Sequence, residues 1–344
     1  MSMNIQTALE VIADHGHLTR EQMVDVMRQI MSAGATDVQI GAFLLGMRLK
    51  GETTDEIAGG VEVLREFATR VEVGGPHLVD IVGTGGDGAN LFNVSTASCF
   101  VVAAAGGRVA KHGNRSVSSS SGSADVLEAA GVKLDISPGQ VAQCVNELGV
   151  GFMFALMHHS AMRHVSQARK ELGLRTLFNI LGPMSNPAGV TRQLIGVFNG
   201  ALCRPIAEVL QKLGSEHVMV VHSQDGLDEI SLAAETRVAE LKNGVVEEYT
   251  LKPEELGVER GSLKGLGVEG VDASLQLLTS VLAGERDSRS LRGARLVAMN
   301  AGAALYVAGV VNSVREGVET ALSVLASGAA LEKLEQLADM TQGF

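Results

Sequence analysis

The chain has 344 residues, 46% of them hydrophobic, which is enough for one large or two ordinary domains with a substantial core. Its net charge of −11 argues against nonspecific nucleic-acid binding, which needs a broad basic surface. The polar first turn shows no secretion signal, and the longest apolar stretch, around residues 296–311, is too short to span a bilayer. The 3 cysteines (Cys99, Cys144 and Cys203) stand singly, without metal-site spacing, and indicate reduced core thiols in a cytoplasmic protein.

Residues 1–70 are predicted to form helices only. Each of three apolar-periodic runs follows a capping-box pattern. These patterns are Thr19 with Gln22, Thr36 with Gln39, and Thr53 with Glu56. Four short helices bury little surface by themselves, so this part must pack on the remainder of the chain or on a second subunit. From the pattern alone, a homodimer through these helices and packing within one chain are both open.

After Gly74-Gly75-Pro76, predicted strands alternate with predicted helices. The strands are 78–82, 108–111, 151–155, 217–222 and a hairpin over 238–249, and the helices are 93–105, 126–130, from 138, 160–172, 204–213 and from 272 onward. This alternation predicts a small all-helical N-terminal domain followed by a larger α/β domain with a mostly parallel central sheet. We place the domains at 1–72 and 73–344, with helices from about 160–190 joining the first.

The stretch from Leu78 to Asp125 organises the chain. A short strand runs into Gly83-Thr84-Gly85-Gly86-Asp87-Gly88, and a helix begins near Asn93, which is a good N-cap residue. Glycines permit close backbone approach, and unpaired N–H groups at a helix start attract phosphate. No Asp or Glu occurs from Gly88 to Ala124, where average composition would give about four. We predict a polyanion pocket, the alternative being a solvated loop that lacks acids by chance.

Glycines 83, 85 and 88 formally match a dinucleotide-binding fingerprint. That fingerprint needs an acid about twenty residues further on for the ribose hydroxyls. Here the second strand ends in Lys111 and His112, and the next acid after Asp87 is Asp125. A nicotinamide cofactor is therefore not expected, and no P-loop pattern occurs in the chain.

Two further groups of charged residues point to a site at the sheet edge. Asp228 and Glu229 follow a predicted strand, where two carboxylates, with the hydroxyl of Ser95, could hold Mg²⁺. The alternative is a solvated acidic turn. Arg169 and Arg175 are predicted on a helical stretch and could clamp a carboxylate, although either one alone could be an ordinary surface arginine.

Five segments in order resemble the anthranilate phosphoribosyltransferase family. They are Gly83-Thr84-Gly85-Gly86-Asp87, Asn93-Val94-Ser95-Thr96, Lys111-His112-Gly113-Asn114-Arg115, the run from Arg175 to Pro183, and Asp225-Gly226-Leu227-Asp228-Glu229. The resemblance implies transfer of the phosphoribosyl group of 5-phosphoribosyl diphosphate (PRPP) to the amine of anthranilate, in tryptophan biosynthesis. It also implies Mg²⁺, a helical domain hinged on the α/β domain, and a homodimer through the helical domain.

The resemblance also implies roles for individual residues. Those implied to bind PRPP are Gly83, Gly86, Asp87, Leu91, Asn93, Val94, Ser95, Thr96, Lys111, His112, Gly113, Asn114, Arg115, Ser116, Val117, Ser118, Ser119 and Ser123. Those implied to contact anthranilate are Gly83, Asn114 and Arg169, and those implied to hold Mg²⁺ are Ser95, Asp228 and Glu229. No side chain is implied as a nucleophile or general base, because an aryl amine is already uncharged at neutral pH.

The chain departs from the usual family pattern at two positions. Leu91 stands where threonine is frequent, which removes a hydroxyl contact to PRPP, and Ser120 stands where lysine is common, which lowers the charge of the loop. Two alternatives stay open at this stage. One is a phosphoribosyltransferase or nucleoside phosphorylase acting on another aromatic or base, and the other is a catalytically silent relative that binds a nucleic acid or a protein.

Overall fold

The computed structural model describes residues 2–116 and 121–344. The strands of this part of the chain are β1 Leu78–Gly83, β2 Arg108–Gly113, β3 Val150–Phe154, β4 Arg192–Gly196, β5 His217–Ser223, β6 Thr236–Lys242 and β7 Val245–Leu251. Its α-helices are α1 Ile5–Ala13, α2 Arg20–Met31, α3 Asp37–Lys50, α4 Thr54–Glu66, α5 Val94–Ala104, α6 Ser123–Ala129, α7 Pro138–Leu148, α8 Ala155–His158, α9 Arg163–Leu172, α10 Phe178–Leu181, α11 Cys203–Lys212, α12 Val271–Leu282, α13 Ser288–Ala308, α14 Val314–Ser327 and α15 Ala329–Gln342.

Within the described residues, one sheet runs in the order β3-β2-β1-β4-β5-β6-β7. The first five strands are parallel, and β6 and β7 add an antiparallel edge. The β6–β7 hairpin turns at Asn243-Gly244, where both residues have positive φ, as a tight two-residue turn requires. The predicted α/β class, with a helical N-terminal part and a mostly parallel sheet, is confirmed.

The sheet separates two apolar cores. Helices α5, α13, α14 and α15 lie over one face, and their core includes Ile81 and Val221. The other face, with Ile195 and Val220, shares its core with α11 and with the N-terminal helices. Residues from α9 and α10, among them Val165, also enter this second core. The helical part is therefore continuous with one face of the sheet.

Local sequence signals account for most helix starts. All three predicted capping boxes are formed, at the starts of α2, α3 and α4. The helix predicted at 126–130 begins earlier, at Ser123, because the Asp125 carboxylate accepts the N–H of Gly122 and completes a cap there. None of the helices in the described ranges has the combined length and apolar character that a membrane crossing requires.

A buried ion pair ties the helical domain together. Lys50 Nζ lies 2.7 Å from Glu56 Oε2, and both side chains are almost fully buried. The Glu56 carboxylate also accepts the N–H groups of Leu18 and Thr53, both at 2.8 Å. One carboxylate thus joins the loops that precede α2 and α4.

Lys50→Met should destabilise the helical domain strongly, because it leaves the Glu56 carboxylate buried without its cation. We expect a loss of about 3–5 kcal/mol in the free energy of unfolding, measured by urea titration. The control is Lys212→Met, which breaks an exposed pair with Asp55 and should cost under about 1 kcal/mol. Equal losses of unfolding free energy in the two variants would show that burial of the Lys50–Glu56 pair does not determine its contribution to stability.

Candidate active site

The candidate site lies where β1, β4 and β5 end side by side. These three strands are parallel neighbours, so the loops that follow them meet at one edge of the sheet. The loop after β1 carries the glycine-rich run, and the loop after β5 carries Asp228 and Glu229. The N–H of Gly85 donates to Asp228 Oδ2 at 2.8 Å, which joins the two loops directly.

Two glycines make this junction possible. A Cβ on Gly83 would lie 2.6 Å from Asp228 Oδ2, and a Cβ on Gly196 would lie 1.6 Å from the Asp228 carbonyl oxygen. Both distances are too short for any side chain. The glycines at the ends of β1 and β4 therefore have a packing role, which is to admit the acidic loop between the strand ends.

The acidic groups at this edge raise one another's proton affinity. Burial raises the pKa of Asp228 to about 6, with a further contribution from the charge of Asp87. Burial also raises the pKa of Glu229 well above its usual range, and the charge of Asp228 adds to this effect, while Lys111 opposes it. The ionised forms of both carboxylates are therefore unfavourable at this site by themselves, and a bound cation would stabilise them.

These residues fit Mg²⁺ better than a metal that needs a complete protein cage. The backbone N–H of Ser95 stabilises the Glu229 carboxylate, so the Ser95 hydroxyl and Glu229 are close neighbours. No group of three or more His, Cys, Asp or Glu side chains is arranged to hold a metal in the part of the chain that the structure describes. Mg²⁺ commonly takes only one or two carboxylates from the protein and completes its shell with water and substrate phosphates.

Helix α5 begins shortly after the glycine-rich loop. Asn93 occupies the N-cap position, but its side chain makes no cap bond, contrary to the prediction. Its side-chain oxygen instead accepts hydrogen bonds from Ser121 at 2.9 Å and Ser274 at 2.7 Å. The Thr96 hydroxyl, in the first turn, is buried and has no hydrogen-bond partner among the described residues. A buried hydroxyl without a partner in the first turn of a helix is suited to a phosphate oxygen.

Lys111 and His112 point to opposite faces of β2, as adjacent strand residues must. The ammonium of Lys111, which is buried, donates to the carbonyl of Ile81 at 2.6 Å and lies 3.4 Å from the Ser95 hydroxyl. The ring of His112 instead lies 5.0 Å from that of His159, and burial lowers the pKa of His112 well below its usual range. The structure brings Lys111 to the α5 start and places the His112 ring elsewhere.

The segment after β2 is closed by Asp125. Its carboxylate accepts the N–H of Ser116 at 3.0 Å and that of Gly122 at 2.9 Å, so it joins the two sides of the loop. Arg115 is paired with Asp125 and Glu128, and therefore does not present a free charge as the acid-free window suggested. The predicted PRPP contacts Val117, Ser118 and Ser119, with the variant position Ser120, lie outside the described residues.

The remaining predicted PRPP contacts include Gly86, Leu91, Val94, Gly113 and Asn114. Gly86 has a φ of 77°, which favours glycine. Gly113 ends β2, and a Cβ there would lie 2.3 Å from the hydroxyl of Ser123. Leu91 forms an isolated bridge with Gly267, and the side chain of Val94 is buried in the core. Asn114 accepts the N–H of Arg115 with its own side-chain oxygen at 2.8 Å.

Arg169 lies on α9, half-buried, with its guanidinium 5.4 Å from the ring centre of Phe178. Burial lowers its pKa. Among the ion pairs of the described residues, Arg169 has no carboxylate partner. A partly desolvated, unpaired guanidinium favours an anionic ligand.

Arg175 is not on a helix, so the prediction for this residue was wrong. Helix α9 ends at Leu172 because Gly173 adopts a left-handed conformation with φ of 59°. In the loop that follows, the Arg175 guanidinium donates to the carbonyl of Gly86 and lies 4.2 Å from the ring centre of Phe198. Arg175 is not among the predicted site residues, because its contact with Gly86 depends on tertiary structure.

Both parts of the chain match models of one family. Residues 6–68 match the helical bundle domain of the glycosyl transferase family, and residues 75–331 match its a/b domain. The fold and site therefore define a glycosyl transferase that combines a helical bundle with an α/β domain.

Similar proteins identify the family more narrowly. The chain is 60% identical over 342 residues to the anthranilate phosphoribosyltransferase of Marinobacter nauticus (99% of this chain, 100% of the relative), and 60% identical over 340 residues to that of Cellvibrio japonicus (99% of each). The crystal structure of the Thermus thermophilus enzyme has a TM-score of 0.91 at 42% identity, covering 97% of this chain and 99% of the other. The Saccharomyces cerevisiae enzyme in complex with PRPP and Mg has a TM-score of 0.88 at 26% identity, covering 99% and 98%. The chain belongs to the anthranilate phosphoribosyltransferase family, which confirms the resemblance carried by the motifs.

The buried histidines predict a pH dependence of stability. Burial lowers the pKa of His159 from 6.5 to about 4. In the unfolded chain His159 takes up its proton as the pH falls below about 6.5, whereas in the folded chain it stays neutral until about 4. The folded state therefore loses stability over that window, by about 3 kcal/mol in total.

His159→Gln should remove this part of the pH dependence. Urea midpoints measured at pH 7 and pH 4.5 should differ less in the variant than in the parent chain. The control is His164→Gln, a partly exposed histidine on α9, which should keep the parent's pH slope. An unchanged slope in His159→Gln would show that His159 is not the group responsible.

Proposed function

We propose that the chain transfers the 5-phosphoribosyl group of PRPP to the amine of anthranilate, giving N-(5-phosphoribosyl)anthranilate and pyrophosphate in tryptophan biosynthesis. The observation that carries this proposal is the 60% identity, over almost the full chain, to two anthranilate phosphoribosyltransferases. The hydrogen bond that joins the glycine-rich loop to Asp228 at one sheet edge agrees with it.

In this proposal, PRPP lies along the glycine-rich loop, the start of α5 and the segment after β2. The Thr96 hydroxyl, buried in the first turn of α5 without a partner among the described residues, supports the placement of its phosphates there. Lys111 supports it too, since its ammonium reaches the Ser95 hydroxyl. The predicted contacts of Gly83, Gly86 and Asp87 belong to the same loop.

Ser95, Asp228 and Glu229 would hold Mg²⁺. The uncompensated charge of the two carboxylates supports this assignment, and so does the Mg bound with PRPP in the yeast relative. When bound, the metal would neutralise charge on the diphosphate leaving group.

Anthranilate would bind between Asn114, Gly83 and Arg169. The unpaired guanidinium of Arg169, partly removed from water, supports the placement of the anthranilate carboxylate beside it. A charged hydrogen bond in that environment would fix the orientation of the ring and hence of the amine.

The chemistry then needs positioning and charge neutralisation. The amine nitrogen forms a bond to C1 of the ribose while the C1–O bond to diphosphate breaks, and the leaving group keeps the electron pair. Lys111 and the N–H groups of the glycine-rich loop would stabilise the charge that develops on the leaving oxygen. The nitrogen loses a proton after attack, and no side chain need act as a nucleophile or a strong base.

The test is the fluorescence of anthranilate mixed with the protein, PRPP and Mg²⁺, with EDTA as control. Loss of anthranilate signal that needs both PRPP and Mg²⁺ would support the reaction, the substrate and the metal together. If the folded protein binds PRPP but leaves anthranilate unchanged, the acceptor assignment is wrong. Turnover of a pyrimidine nucleoside with phosphate would then favour a nucleoside phosphorylase.

The double variant Asp228→Asn, Glu229→Gln should lose turnover by at least about a thousandfold, because it removes both proposed carboxylate ligands. The control is Asp272→Asn with Glu269→Gln, which makes the same charge change at two exposed positions of the same domain. The control should keep near-normal rates. Near-normal rates in the Asp228, Glu229 variant would rule out these residues as the metal site.

We also propose that the helical domain comprises residues 1–72 together with helices from about 160–190, and that residues 73–344 otherwise form the PRPP-binding domain. Helix packing supports this division, because α9 packs on α2 and α3, and α10 packs on α4. Main-chain contacts support it too, since the N–H of Thr69 donates to the carbonyl of His158 at 2.7 Å.

A homodimer through the helical domain completes the proposal. Helix α3 exposes an apolar stripe of Val38, Leu45 and Leu49, with exposed fractions of 82%, 39% and 72%. These residues recur at helical spacing on one face, which favours burial against a second copy. Leu49→Glu should shift the chain toward monomer in sedimentation velocity, whereas Leu291→Glu, an exposed leucine on α13, should not.

A cytoplasmic location is proposed from the three free, buried thiols and from membership of a biosynthetic family. Fractionation of cells that express the full chain tests it, and recovery of the protein outside the cytoplasmic fraction would contradict it.

A further inference from the structure

Arg175 bridges two parts of the molecule that carry different substrates in the proposed function. Its guanidinium donates to the carbonyl of Gly86 in the glycine-rich loop and stacks on Phe198, which follows β4. Its own carbonyl accepts a hydrogen bond from Arg48 on α3, in the helical domain. A single loop residue thus contacts both domains.

The same short segment carries the proposed acceptor residue. Arg169 lies on α9, six positions before Arg175. Helix α9 ends between these two residues, at Leu172 and Gly173. Helix α9 packs on α3, which also holds the backbone of Arg175 through Arg48. A displacement of this segment would therefore move Arg169 and Arg175 together.

The contact with Gly86 fixes the orientation of a backbone N–H, that of Asp87, which could donate a hydrogen bond to a phosphate. The C=O and N–H of a trans peptide point in opposite directions, so holding the Gly86 carbonyl fixes the direction of the Asp87 N–H. Gly86 has positive φ, and a Cβ there would lie 2.6 Å from a guanidinium nitrogen of Arg175. The position therefore needs glycine both for its backbone conformation and for the approach of the arginine.

We infer that Arg175 is a positioning residue that couples the two substrate sites, an inference that rests on the proposed function. When the guanidinium holds the Gly86 carbonyl, the loop presents the Asp87 N–H toward the diphosphate while α9 presents Arg169 toward the acceptor. Occupation of either site then favours the arrangement that the other site needs. Such coupling is reciprocal, because each ligand must change the affinity of the other by the same factor.

The experiment measures this coupling with ligands that cannot react. The affinity of anthranilate is measured by its fluorescence with and without saturating pyrophosphate and Mg²⁺, and the affinity of pyrophosphate is measured by calorimetry with and without anthranilate. In the parent chain we expect each ligand to strengthen the other by about two- to fivefold, the factor that corresponds to a cation–π contact at an exposed guanidinium. Arg175→Met should bring this factor close to one while each ligand alone binds within about threefold of the parent.

Three further variants make the result specific. Phe198→Leu removes the ring but keeps the arginine, and should reduce the coupling in part. Arg175→Lys keeps the charge with a single donor group and should restore part of what Arg175→Met loses. Lys170→Met removes a positive charge from the exposed face of α9, and should leave the coupling unchanged.

Three results would overturn the inference. The first is the absence of coupling in the parent chain, and the second is full coupling in Arg175→Met. The third is a loss of about tenfold or more in pyrophosphate affinity alone, with coupling intact, which would make Arg175 a direct ligand of the diphosphate. Failure of the proposed function would appear separately, as a parent chain that does not consume anthranilate with PRPP and Mg²⁺.

Discussion

The close approach of Asp228 to the ends of β1 and β4 is the constraint on which the candidate site depends. The acidic loop fits there only because Gly83 and Gly196 carry no side chains, and it is fastened by the bond from the Gly85 N–H. The carboxylate that favours a cation is thereby held against the loop that favours a phosphate. A displacement of either strand end would separate the two halves of the site.

The electrostatics of this junction follow from the same packing. Burial raises the pKa values of Asp228 and Glu229, the charge of Asp87 adds to both, and Lys111 opposes the effect only at Glu229. A protein pays a stability cost to keep such a cluster, because buried like charges repel one another. The cost is understandable if a cation and a polyanion enter together, since each ligand neutralises charges that the other would leave unbalanced.

Local signals in the sequence predicted much of the fold. The capping boxes at Thr19, Thr36 and Thr53 involve residues only three positions apart, so the pattern alone identifies them. The Asn243-Gly244 hairpin and four of the five parallel strands were equally readable from turn chemistry and apolar runs, whereas β4 was not predicted. Asn93 shows the limit of this reasoning. Its cap bond is absent because Ser121 and Ser274, which are distant in sequence, take up its side chain instead.

The arginines show why the site was harder to predict than the fold. Arg115, Arg169 and Arg175 are alike in sequence, but their partners differ. Arg115 pairs with two carboxylates, Arg169 lies against a phenylalanine ring without a carboxylate, and Arg175 donates to a backbone carbonyl of the glycine-rich loop. Only tertiary structure assigns these partners. The left-handed Gly173 is decisive for the third, because it ends α9 and directs the chain toward the glycine-rich loop. One glycine thus turns a position that would continue the helix into a contact with the glycine-rich loop.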